Sequence, residues 1–298
     1  MSSAVHDLGY KRYVGTRRST GARWRVIARQ QMAAAWKSWW RWKLVSVATL
    51  VPLVVASVFI FVVSDKMFGP LQHVMPFSFA DVALPFTYSG FCVCAFVASI
   101  VIGSTIIAGD LQSGAFVFYF ARSTRPTDYL LGKLAGYGAV VASVVVAGPT
   151  LVAIMRLALT TTRDTGGAIG QLALVPEALG LGLVATLAYT AIPLGFSALF
   201  AKRGYAVAMW AAFYLVIGSI AEFVGVNGNL GWLAAVDIST ALTSLAHRAF
   251  HLPSVFGDTV QISAAASLIS IGAQSAIALA IAYARLSAAQ KTGVGGAT

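Results

Sequence analysis

AGDLQSGAFVFYFARSTRPTDYLLGK, residues 108–133, is a polar and basic island between two long apolar stretches. Asp110, Gln112, Arg122, Arg125, Asp128 and Lys133 make it too polar for a bilayer core, and its apolar run 116–120 is too short to span one. The island is therefore a loop with structure of its own between two spanning helices. Residues 111–121 can form a short helix with Phe116 and Phe120 on one face. Arg125 ends it, because the residue before a proline is pushed away from helical angles, and Tyr129 opens the next membrane helix. A short helix held at the membrane surface and joined rigidly to two spans can carry motion from a soluble partner into the bilayer.

Composition supports the membrane reading. The chain is 58% hydrophobic and 10% charged, against roughly 25% charged for a soluble domain. Its 298 residues have room for several spans of about 20 residues with short loops. They leave no room for a separate soluble enzyme domain. The formal charge of +11 reads as membrane orientation rather than nucleic-acid binding, because basic residues beside spanning helices set topology. Residues 1–43 hold ten Lys or Arg before any apolar run begins, which is unlike a cleaved signal peptide. Cys92 and Cys94, two apart in an apolar run, point to nearly opposite sides of a helix and suit neither a disulfide nor a metal site.

The expected class is an all-α integral membrane protein. Residues 1–43 form a cytoplasmic tail and an amphipathic interfacial helix, with Trp24, Ala28, Met32, Ala35, Trp39 and Trp42 on one face and Arg25, Arg29, Lys37 and Arg41 mostly elsewhere. Residues 44–285 form a six-span domain, with spans expected at 44–63, 86–108, 134–159, 179–200, 205–223 and 262–284. Pro149 is expected to kink the third and Pro193 lies inside the fourth. Residues 286–298 form a cytoplasmic tail.

The positive charges test this count. With the N-terminus inside, seventeen Lys or Arg fall on the cytoplasmic side, while Lys66, Arg156, Arg163 and Arg248 fall outside. That asymmetry puts both termini in the cytoplasm of a multi-pass plasma-membrane protein and requires an even number of spans. The segment 225–261 is too apolar for a free loop and too polar to cross. Two short helices dipping into the outer leaflet satisfy both facts.

Catalytic motifs are missing. No G-x-x-x-x-G-K-[ST] occurs, since Gly132-Lys133 is followed by Leu134, and there is no G-x-S-x-G. His247 and His251 have helical i, i+4 spacing without the intervening Glu of H-E-x-x-H. The residues support no catalytic, cofactor or metal site in this chain. Arg156, Glu177 and Glu222 map near the outer ends of spans three, four and five and are outer-rim candidates, either snorkelling at the interface or lining an exit path. With no ionisable group at a midplane, the energy for any transport has to come from outside the chain. Small residues at Gly272, Ala276, Ala280 and Ala284, and at Gly132 and Gly136, give two helices flat stripes for close packing, within the subunit or across a dimer, of which the first is the expectation.

The layout resembles the ABC type-2 permease family, the membrane subunits of ABC transporters. The resemblance covers nearly the whole chain in architecture. Its motif theme is an acidic residue, a glycine, an aromatic or leucine-rich helix, a basic or proline-containing turn and a Gly-Lys entering span three. These fall on Asp110, Gly114, residues 116–120, residues 122–126 and Gly132-Lys133, with Phe and Tyr where the family often has Leu. The resemblance implies a coupling segment at 109–128 in which Asp110, Gly114, Phe116, Tyr119, Phe120, Arg122, Arg125 and Lys133 meet a separately encoded ATP-binding subunit. ATP and Mg belong to that partner. It further implies a second permease copy, identical or paralogous, embedded in the lipid bilayer with no nucleic acid, and outward movement of a substrate by alternating access. The competing readings are a membrane anchor or assembly protein without transport and an ATP-independent carrier. An embedded enzyme would need paired acids or histidines at depth, and the sequence offers none.

Overall fold

The computed structural model describes residues 23–37, 39–58, 79–116, 119, 124–161, 171–228, 230–251 and 262–291. Every regular element among them is helical: α1 (Arg23–Lys37), α2 (Trp39–Val58), α3 (Phe79–Val101), α4 (Ile106–Gln112), α5 (Pro126–Val145), α6 (Ala147–Thr161), α7 (Leu174–Leu199), α8 (Arg203–Ala212), α9 (Gly218–Asn227), α10 (Gly231–Ala234), α11 (Ile238–Ala249) and α12 (Ala264–Lys291). Five continuous helical stretches are long and apolar enough to cross a membrane: Leu84–Gln112, Pro126–Ala158, Leu174–Leu199, Arg203–Asn227 and Ala264–Lys291. The chain is a helical integral membrane protein. The expected first span lies on α2, whose described apolar part is Thr49–Val58; residues 59–63 lie outside the described residues.

Two of the long stretches are interrupted for identifiable reasons. The expected kink in the third span falls at Val146, between α5 and α6, three residues before Pro149. Proline lacks an N–H and its ring clashes with the carbonyl four residues back, here that of Val145, so the regular helix ends there. Val146 N–H still reaches Ala142 O at 2.9 Å. In the second span a tight turn, Gly103–Thr105, separates α3 from α4. The amides of Ile107 and Ala108 both donate to Ser197 Oγ, each at 2.9 Å, so a hydroxyl of α7 replaces the missing intrahelical acceptors. The stretch Arg203–Asn227 contains a π-helical turn at Phe213–Ile217.

The core is aromatic and cross-bonded. Trp210 is fully buried and donates to Ser99 Oγ at 2.7 Å. The hydroxyls of Tyr189 and Tyr214 meet at 3.0 Å, and Tyr214 stacks on Phe96 with ring centroids 3.8 Å apart. In these three residues the polar tip has found a partner, which offsets its burial in an apolar interior.

The two ends of the bundle differ. Arg203, the first residue of α8, lies against Gly109 of α4, so the α4–α5 and α7–α8 connections share one end. At the opposite end, Phe250, just after α11, meets the edge of Tyr88 near the start of the second span, with centroids 6.2 Å apart. Here the segment expected as two short helices is α10 and α11. Asp237, 5% exposed, caps α11 by accepting from Thr240 N–H at 2.9 Å and Thr240 Oγ1 at 2.6 Å. Gln274 of α12 ties the same region down by donating to Val236 O at 3.1 Å.

The tryptophan stripe runs over α1 and α2, and residue 38 between them lies outside the described residues. Two expectations are corrected. Gly272, Ala276, Ala280 and Ala284 face outward, and α12 instead buries Ile271, Ser275, Ala278, Ala282 and Leu286. Gly132 and Gly136 do pack within the chain, where they receive α1. An added Cβ at Gly136 would lie 2.6 Å from Ala28 O, and one at Gly132 would lie 2.6 Å from Ile27 Cβ. The second correction is the island, where regular helix stops at Gln112.

Candidate functional site

The island 108–133 does not form one helix over 111–121. Regular helix ends at Gln112, and the chain turns through Gly114, whose φ of 67° is left-handed. Ala115 N–H bonds Asp110 O at 3.0 Å and Gly114 N–H bonds Leu111 O at 3.2 Å, the paired closure of a glycine-terminated helix. Glycine is needed here because an L side chain is strained in this conformation. The turn points Phe116 inward. That ring is 2% exposed and stands edge-on to Tyr129 with centroids 5.4 Å apart, so it is part of the fold and not a free docking anchor. Phe120 and Arg122 lie outside the described residues. Arg125 is exposed and extended before Pro126, which starts α5.

Asp110 sits in the last turn of α4, where a carboxylate faces the negative end of the helix dipole. Its compensation comes from α5. Tyr129 donates to Asp110 Oδ2 at 2.6 Å, and Lys133, one turn further along the same face, places Nζ 2.8 Å from that oxygen. Lys133 also donates to Gln31 Oε1 of α1 at 3.0 Å. The rings of Tyr129 and Tyr119 lie 5.4 Å and 5.9 Å from the ammonium, within cation–π reach. Lys133 is 6% exposed and the Asp110 side chain 21%. A charge so far from water persists only when paired and hydrogen-bonded, and this clamp supplies both. Burial, with the Asp110 carboxylate beside it, pushes the Tyr119 phenol above its ordinary value of 10.0, which keeps it neutral. Three helices and the turn after α4 thus meet at one ion pair.

Beside the clamp is a cavity of about 240 Å³ between α1, α4, α5 and α8, lined by Gln30, Gln31, Thr105, Asp110, Lys133 and Arg203 among others. A Cβ on Gly109 would lie 2.8 Å from Arg203 Nε, so the missing side chain lets the guanidinium approach.

Of the residues singled out from sequence, Asp110, Gly114, Phe116, Tyr119 and Lys133 come together. Arg156, Glu177 and Glu222 lie toward the opposite end. Arg156 is 7% exposed and Glu177 stands in the first turn of α7. The helical spacing of His247 and His251 is broken, since α11 ends at Ala249 and His251 has φ 51°. Sequence reading missed Tyr129, Gln31 and Arg203. The first was signalled by its i, i+4 spacing from Lys133; the other two come from distant helices.

Comparison with known proteins finds no family model and no curated protein that matches this chain.

Proposed function

We propose that this chain is the membrane-spanning permease subunit of an ATP-driven transporter of the ABC type-2 kind, working as an exporter in the plasma membrane. In this reading the chain has six spans with α2 as the first, α10 and α11 as an outer re-entrant pair, and both termini in the cytoplasm. A second permease copy, identical or paralogous, and separate ATP-binding subunits that carry ATP and Mg complete the assembly.

The observation that carries the reading is the clamp at Asp110. A coupling element has to move as one body with the spans it drives, and the Asp110–Lys133 pair with its Tyr129 and Gln31 bonds locks the island to α4, α5 and α1 at once. Arg125 is exposed and Tyr119 half-buried, so both remain available to a partner, and the basic sign of the island suits an acidic cleft.

The test is co-expression with candidate ATP-binding subunits. The expected result is co-purification and ATP hydrolysis stimulated by this chain, both reduced in Arg125→Glu while the membrane-inserted amount stays the same. Stimulation equal in wild type and Arg125→Glu would count against the island as the docking element, and absence of any stimulating partner would count against the class. Topology is checked by impermeant thiol labelling of single cysteines in a background lacking Cys92 and Cys94. Positions 165 and 239 are expected to label from outside and position 123 is not.

A further inference from the structure

We propose that the cavity beside the clamp is a binding site for a phosphodiester anion of headgroup size. This inference rests on the cavity alone and holds whether or not the chain transports anything.

Charge comes first. The cavity wall carries two cations, Lys133 and Arg203, and one carboxylate, Asp110. Asp110 is consumed locally, since its Oδ2 already accepts from Lys133 and Tyr129. Arg203 has no hydrogen bond or ion pair among the described residues. The wall is therefore left with one uncompensated guanidinium, matching the single negative charge of a phosphodiester. A guanidinium presents its donors as a planar fork that fits two phosphate oxygens.

Further donors surround it. Gln31 gives its carbonyl oxygen to Lys133, which leaves its amide N–H groups to donate, and Gln30 adds a second amide. Arg203 is also the first residue of α8, whose N-cap has no side-chain hydrogen bond and whose first turn has no acidic residue. That helix end adds a positive partial charge in the same sense.

Size and place agree. At about 240 Å³ the cavity is smaller than the roughly 300–1,000 Å³ of sites for drug-sized ligands and suits a headgroup fragment. It lies at the shared end of three spans, those ending at Gln112 and beginning at Pro126 and Arg203. Apolar helix gives way to polar chain there, at the level of lipid headgroups. A lipid phosphate and a soluble phosphate ester offer the same chemistry.

The experiment uses the full chain purified in a neutral detergent and follows its melting temperature. The probes are dihexanoyl phosphatidylglycerol, dihexanoyl phosphatidylcholine and the soluble phosphodiester glycerophosphoglycerol, at ionic strength matched with sodium chloride. The expected result is saturable stabilisation by phosphatidylglycerol above that by the zwitterionic lipid. Its apparent affinity should fall about tenfold or more in Arg203→Ala, the scale of losing a charged hydrogen bond, and partly recover in Arg203→Lys. Arg203 is exposed, so its truncation leaves the core intact. Gly109→Ala displaces the guanidinium without changing charge and serves where Arg203→Ala is not recovered folded. Equal, Arg203-dependent protection by glycerophosphoglycerol supports the site and identifies its occupant as a soluble phosphodiester. No saturable shift with phosphatidylglycerol or glycerophosphoglycerol, or a shift unchanged in the variant, overturns the proposal.

Discussion

Lys133 Nζ and Asp110 Oδ2 stand 2.8 Å apart, joining the last turn of α4 to the second turn of α5. Removing one partner leaves the other charge poorly solvated, whereas removing both does not. Lys133→Met is expected to lower stability by about 3 kcal/mol, and the double change Asp110→Asn with Lys133→Met to be milder than the single. A double-mutant cycle on detergent melting curves measures this. Additive losses would mean that the pair contributes no coupling.

Gly136 lies under Ala28 O so closely that a side chain has to push α1 away, because the obstructing atom is backbone. Gly136→Val is therefore expected to release α1 and speed tryptic cleavage at Arg25 and Arg29. Gly138→Ala is the control, since an added Cβ there meets its nearest atom at 3.7 Å, an ordinary contact.

Phe116→Ala is expected to act on the fold before it acts on any partner. The ring is 2% exposed, and truncating a buried Phe typically costs about 3–5 kcal/mol. Tyr119→Ala, at a half-buried position, should cost clearly less. Melting temperatures of the two variants check the order, and a reversed order would refute the inward placement of Phe116.

His247 gives a pH dependence of definite sign. Burial lowers its pKa from 6.5, so the folded state resists protonation more than the unfolded chain does. The unfolded state then binds more protons as pH falls below about 6.5, and stability declines until the folded pKa is passed. Wild type is expected to lose more stability than His247→Gln between pH 8 and pH 5. Identical losses would show that this imidazole does not report on folding.

The fold class was legible because apolar stretches of spanning length leave few alternatives. Pro149 announced a break in the third span but not its position, since proline acts on the carbonyl four residues earlier. The island was recognised by its charges, and Gly114 marked its turn. The direction of Phe116 was not legible: an aromatic run in a polar loop reads equally as anchor or core, and the left-handed turn decides which. Gln31 and Arg203 could not be read locally, because α1 and α8 reach the clamp only through tertiary packing. The outward stripe at Gly272, Ala276, Ala280 and Ala284 shows the same limit. Small residues mark a surface that permits close approach without saying what approaches.

The hydroxyl of Ser197 that holds the amides of Ile107 and Ala108 makes the second span a jointed rod. Above Gly103 the rod is the regular helix α3. Below Thr105 it is latched to α7 through one oxygen. Tyr88 of α3 in turn donates to Leu181 O of α7 at 3.2 Å, so α7 holds the rod on both sides of its joint and acts as the splint across it.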